Sequence, residues 1–260
     1  MLSGSCQIWT NISWNHGIRP TQTDSVSGRA STASCGSTFL ITMISAELFE
    51  TIKRKHGGYA SWAVWVDAGE KPKSNMGDMS IFKNEGVLGL LNNNVVMVGL
   101  NFSRSFSGEP FGNFHDPRPM ANDFKIRYAF KDSEYYGAYM TDIIKFLEEA
   151  DAKNVMKHLS QHPEIIENSL NIFREEMRDL KGTTEIKVSP PLILAFGRYT
   201  YNILSQNLKK EEYSRIIKLT HYSHQISKEV YKQTVLKEVD FAMCSQRRGD
   251  LIVGSARAAR

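Results

Sequence analysis

Val95-Val96-Met97-Val98-Gly99-Leu100-Asn101 is the stretch on which the fold turns. Its first four residues are apolar without alternation. That pattern predicts a strand buried on both faces, as in the middle of a parallel sheet, and not a half-exposed hairpin strand. Glycine then lets the backbone approach a neighbour closely, and an amide side chain follows at the strand's carboxyl end.

Three further apolar runs share this strand character: Gly137-Ala-Tyr-Met-Thr141, Leu192-Ile-Leu-Ala-Phe196 and Ile216-Ile-Lys-Leu219. Helical patterns separate or follow them. One is expected over residues 143–150, after a Thr-Asp cap. Another covers 164–180, where Ile165, Ile166, Leu170, Phe173, Met177 and Leu180 form one stripe behind Pro163. Two more are expected over 199–208, after Gly197, and over 227–239, opening at Ser227. Strands alternating with helices predict an α/β protein, a three-layer α/β/α sandwich around a four-stranded, mainly parallel sheet. The domain is expected over residues 46–240. A Ser, Thr and Gly-rich tail precedes it over 1–45, with a short apolar element at 38–49, and a basic tail follows over 241–260.

The bulk numbers agree with a globular chain. Its 260 residues suit one large domain with tails or two small domains, and 41% hydrophobic with 23% charged residues is ordinary. A net charge of +4 is compatible with a nucleic-acid partner without requiring one. Cys6, Cys35 and Cys244 form no CxxC pair, which argues against a structural zinc site or a four-cysteine cluster and fits a reducing compartment. No apolar run reaches the roughly 18 residues needed to span a bilayer. The protein is expected to be soluble and cytoplasmic, with no metal, no cofactor and no membrane partner.

Ligands of open parallel sheets sit at the carboxyl ends of the strands, so the residues just after each strand are the candidates. After the first come Gly99, Asn101, Ser103 and Arg104; the Asn101 amide can hold a water or a polar ligand atom, or the segment is simply a turn. The loop Phe111-Gly-Asn-Phe-His-Asp-Pro-Arg118 gathers aromatic, amide, imidazole and guanidinium groups; Phe114 can stack on a base, or with Phe111 anchor the loop to the core. After the second strand, Asp142 is placed as a helix N-cap, with ligand reading as its other role. After the third, Gly197-Arg198 starts a helix and offers either an anion site or close packing. After the fourth, His221 and His224 flank Tyr222 and Ser223, and neither histidine has metal spacing. A histidine here can donate to a developing anion. Residues 198–237 carry eight Lys or Arg against three Glu, either a phosphate-tracking surface or a solvated face.

In this order, a strand ending in Gly-Leu-Asn, an aromatic loop, a strand ending in Thr-Asp, a strand ending in Phe-Gly and a strand followed by His-Tyr-Ser resemble the uracil-DNA glycosylase superfamily over about residues 59 to 236. The Gly-Leu-Asn turn is most similar to the mismatch-specific uracil/thymine branch. The resemblance implies a DNA partner and hydrolysis of the N-glycosidic bond of a flipped-out uracil or other modified base. It implies that Asn101 orients the attacking water, Phe114 stacks on the base, Asp142 falls near the base-reading position beside Gly99, and His221 stabilises charge on the departing base. Ser103, Arg104, Arg198, Ser223 and His224 are then the expected DNA contacts.

Three positions depart from the family pattern. Phe102 and Tyr222 stand where the family has prolines, and Asp142 stands near the place of an asparagine. A carboxylate accepts hydrogen bonds but repels a carbonyl oxygen, so Asp142 as reader implies a base edge rich in donors, such as a cytosine-type edge. Two other functions fit the same residues: a catalytically silent module that binds DNA or a modified base, and a nucleoside or nucleotide hydrolase on the same scaffold.

Overall fold

A computed structural model of the chain describes residues 44–103, 108–182 and 189–258, with side chains described as far as residue 245. The protein is an α/β sandwich. Its strands are β1 (Ser61–Trp62), β2 (Asn92–Gly99), β3 (Ala138–Asp142), β4 (Leu192–Phe196) and β5 (Arg215–Leu219), in the order β1-β3-β2-β4-β5. The last four are the apolar runs of the sequence, and they pair in parallel. The sheet has a fifth strand that the sequence reading omits: β1 is two residues long, too short for any periodicity, and pairs antiparallel with β3 at the edge.

Helices cover both faces: α1 (Ala46–His56), α2 (Phe124–Phe130), α3 (Ala152–Gln161), α4 (Glu164–Leu180), α5 (Arg198–Asn207) and α6 (Lys228–Ala258). The period of two along β2 divides the core. Val96 and Val98 join Phe49 of α1, Val155 of α3, Phe173 of α4 and Leu204 of α5 in one apolar cluster. Val95 and Met97 join Ile126 and Phe130 of α2 and Tyr231 and Val235 of α6 in the other. β4 is buried throughout, while the edge strand β5 exposes Lys218, a charge of the kind that discourages edge pairing.

One expectation fails. Residues 143–150 form no helix, and Asp142 caps none. The N–H groups of Ile143 and Ile144 donate to the carbonyls of Gly99 and Leu100, so the chain runs on beside β2 with both side chains buried. The helix is delayed to α3, where Asp151 supplies the cap to Lys153 N–H at 2.7 Å. The expected C-terminal tail is helical as far as Ala258. No proline follows Pro191, and the Ala, Arg, Leu and Met of this segment all favour helix. The first expected tail lies outside the described residues as far as residue 43.

Gly137, which leads into β3, has φ +81°, and a Cβ there would overlap the carbonyl oxygen of Leu90. Gly137→Ala is therefore expected to cost about 1–3 kcal/mol from the backbone alone, with the overlap in addition. A drop in urea midpoint without a change of slope checks it; an unchanged midpoint contradicts the tight passage.

Candidate functional site

The carboxyl ends of β2, β3, β4 and β5 open on a cavity of about 570 Å³. Asn101, Ser103, Phe114, Asp142, Arg198, His221 and Ser223 all line it, so most of the sequence candidates converge on one place. Gly99 sits behind the wall: a Cβ on it would overlap Asp142 Oδ1 and touch the Phe114 ring. His224 is exposed and lies outside the lining, its carbonyl oxygen accepting from Lys125 Nζ at 2.8 Å. Arg104 lies outside the described residues.

Asn101 is held by its own amide nitrogen. Nδ2 donates to the carbonyl oxygens of Phe102 (2.7 Å), Leu147 (3.0 Å) and Glu149 (2.8 Å). Three acceptors fix which end of the amide is nitrogen. What Asn101 can offer a ligand is therefore the acceptor Oδ1, a group suited to holding a water by its hydrogen.

His221 is fixed in the complementary sense. Ser223 N–H donates to its Nδ1 at 3.1 Å, and Ser223 Oγ lies 2.8 Å from the same atom. A backbone N–H can only donate, so Nδ1 is the acceptor and the neutral ring carries its proton on Nε2. Burial pushes the ring's pKa down to about 4, so it is neutral at pH 7. The ring stacks on Tyr222 with centroids 4.3 Å apart. Ser223, expected as a DNA contact, orients the histidine.

Phe111 and Phe114 are both buried, in the two separate clusters of the core. Phe111 is wholly buried and packs on Phe49 and Phe82, anchoring the loop. Phe114 lines the cavity, near Tyr222 (6.5 Å between centroids). Both sit at positive φ, +70° and +64°, which is strained for a bulky residue and is typical of functional loops.

Asp142 ends β3 and is 3% exposed; its Oδ2 accepts from Asn113 Nδ2 at 2.9 Å. The same nitrogen donates to Tyr59 O, and Asn113 Oδ1 accepts from Phe114 N–H, so Asn113 is a clamp. Burial raises the Asp142 pKa to about 6, against the pull of Asn113 and Lys145. Asp123 also lines the cavity, is 8% exposed, accepts from Asp116 N–H at 3.0 Å, and is raised by burial to about 7. Sequence reasoning missed Asn113, Asp116 and Asp123 as site residues. They belong to a loop without periodicity, and only the composition of 111–118 signalled it.

These two pKa values set the sign of a pH dependence. A carboxyl raised from its usual 3.8 binds its proton more tightly in the folded state. The stability it contributes is whole below that value and is lost as pH rises through about 6 for Asp142 and about 7 for Asp123. Asp123→Asn, which mimics the protonated group, is expected to raise Tm at pH 8 and to change it little at pH 4. A lower Tm at pH 8 contradicts the uncompensated burial of Asp123.

At Gly197 the chain turns with φ +85° and ψ 167° into α5, and Gly197 to Thr200 line the cavity. Among the described residues no three His, Cys, Asp or Glu side chains are gathered to hold a metal ion, and no helix is long and apolar enough to cross a membrane. No protein-family model, no curated protein and no solved structure matches the chain.

Proposed function

We propose that the protein hydrolyses the N-glycosidic bond of a modified base flipped out of DNA. The observation that carries the reading is the pairing, in one cavity, of an amide fixed as an acceptor (Asn101) with a neutral histidine fixed as an Nε2 donor (His221). Those two polar functions serve hydrolysis at C1′, one at the water and one at the departing base. Asn101 Oδ1 accepts from a water and aims its oxygen at C1′. As that oxygen bonds to C1′, the C1′–N bond breaks, and its electron pair goes to the base. His221 Nε2–H donates to the charge that develops there, a contribution of about 2.7–4 kcal/mol for one well-placed donor. The water's proton passes to solvent. Phe114 supplies an aromatic face for the base, worth about 1–3 kcal/mol for each stacked base. An amide is a weak base, so turnover is slow.

A second reading, a hydrolase of free nucleosides, is favoured by the cavity's Asp116, Asp123, Asp142 and Glu149 against Arg118 and Arg198. Carboxylates do not attract phosphates. One experiment separates the two. A panel of duplexes carrying uracil, thymine mismatches, hypoxanthine, xanthine and modified cytosines is assayed for base release, and duplex binding is followed against salt. Release with binding that weakens steeply with salt is the expected result. Salt-insensitive or absent duplex binding, with cleavage of free nucleosides, favours the second reading.

A further inference from the structure

We propose that the cavity selects bases that carry a fixed positive charge, N-alkylated purines such as 7-methylguanine, over neutral bases of the same shape. The inference rests on the reading of the site as an N-glycosyl hydrolase and names its substrate class.

Its first support is charge left over inside the cavity. Asp123 and Asp142 are more than nine-tenths buried and line the wall, yet each is held by a neutral donor, Asp116 N–H and the Asn113 amide. Among the described residues, Lys145 and Arg118 are paired with other carboxylates, and Arg198 stands exposed at the rim of the cavity. Lys145 Nζ is bound to Glu176 and Thr141, both at 2.7 Å. Arg118 forks onto Asp116, with Nε 2.8 Å and 2.9 Å from its two oxygens. Arg198 lies over the Tyr199 ring, 5.3 Å from its centroid. His221, the remaining base, is neutral. Among the described residues neither carboxyl is bonded to a cation, and a cation held in the cavity beside them lowers the cost of burying their charge.

The second support is the aromatic lining. Phe114, Phe196 and Tyr222 line the same space, with Phe196 and Tyr222 at 86° and Phe114 and Tyr222 at 67°. Aromatic walls set at steep angles beside carboxylates are the surroundings in which organic cations are held. A cavity of about 570 Å³ falls within the ~300–1,000 Å³ typical of small-molecule sites.

The third support is the leaving group. When C1′–N9 breaks in a 7-alkylated guanine, the electron pair cancels the ring's positive charge and the base departs neutral. No proton has to be delivered, so a neutral histidine and an amide suffice. Uracil departs as an anion, and Asp123 and Asp142 oppose it.

The test uses the full chain, with spontaneous depurination subtracted. Release of 7-methylguanine and of uracil from duplexes is compared. Between about pH 6 and 7, where Asp142 is ionised and the methylated guanine keeps its charge, binding of 7-methylguanosine is compared with that of the neutral isostere 7-methyl-7-deazaguanosine. The cation is expected to bind about ten-fold more tightly or better, and 7-methylguanine to leave faster than uracil. In Asp123→Asn, a variant expected to gain stability at pH 8, the preference shrinks. Equal binding of the two nucleosides, or release of uracil alone, overturns the charge selection and leaves the hydrolase reading standing. Cation-selective binding without release of any base supports the selection and overturns the hydrolase reading.

Discussion

Asn101→Ala is expected to lower base release by about 10²-fold or more, the scale on which misplacing a reacting group costs rate. Binding of duplex DNA is expected to stay within a factor of about three, well under the ten-fold that corresponds to 1.4 kcal/mol. The reason is the economy of the Asn101 contacts. Its nitrogen ties β2 to the carbonyls of Leu147 and Glu149, so alanine removes both the water's acceptor and a tie that shapes the cavity wall. Asn101→Asp separates the two effects. It restores an oxygen for water but cannot donate to those carbonyls. Under single-turnover conditions the aspartate variant is expected to recover little of the lost rate. Full activity in the alanine variant would remove Asn101 from the chemistry altogether.

Glu176→Ala is expected to destabilise the fold by about 3–5 kcal/mol, the usual cost of stranding one member of a buried ion pair. Lys145 and Glu176 are 1% and 0% exposed and 2.7 Å apart. Glu176 Oε1 also accepts from Tyr139 Oη (2.9 Å) and Thr141 Oγ1 (2.7 Å). Removing the carboxylate leaves the Lys145 ammonium with only the Thr141 hydroxyl and takes the acceptor from the hydroxyls of Tyr139 and Thr141. The double variant Lys145→Met/Glu176→Leu is expected to recover most of the loss, because an apolar pair of similar size avoids the desolvation of both charges. Urea denaturation of the three proteins checks this. A loss below about 1 kcal/mol in Glu176→Ala would mean that the pair is hydrated in solution.

The parts of the fold that were legible in the sequence are those decided by local pattern. Val95–Val98 and Leu192–Phe196 read as strands because both of their faces are buried, and Leu170, Phe173, Met177 and Leu180 read as a helix because one stripe of it is. The candidates placed after each strand meet at one cavity for the same reason: a parallel sheet directs all of its carboxyl ends to one edge. What stayed hidden depends on partners distant in the chain. Asp142 looked like a cap, but Ile143 and Ile144 continue beside β2, and tertiary pairing outweighed the local signal. Glu176 sits on a helix that reads as amphipathic, and nothing near it announces Lys145, 31 residues away. Asp123 precedes α2 as an ordinary acidic residue, and only the folded loop carries it into the cavity. The helical continuation of α6 to Ala258 was open to inspection, since that segment contains no breaker stronger than glycine.

The central claim is cleavage at C1′ by the paired Asn101 and His221. Its most direct measurement is a single-turnover reaction on duplexes each bearing one modified base, read by mass spectrometry for the free base and for the abasic strand. The account predicts the two products in equal amounts from the wild-type chain, and neither above background from Asn101→Ala or His221→Ala. Product formation that survives both substitutions, or a wild-type chain that binds the duplexes and releases no base from any of them at stoichiometric protein, would contradict it.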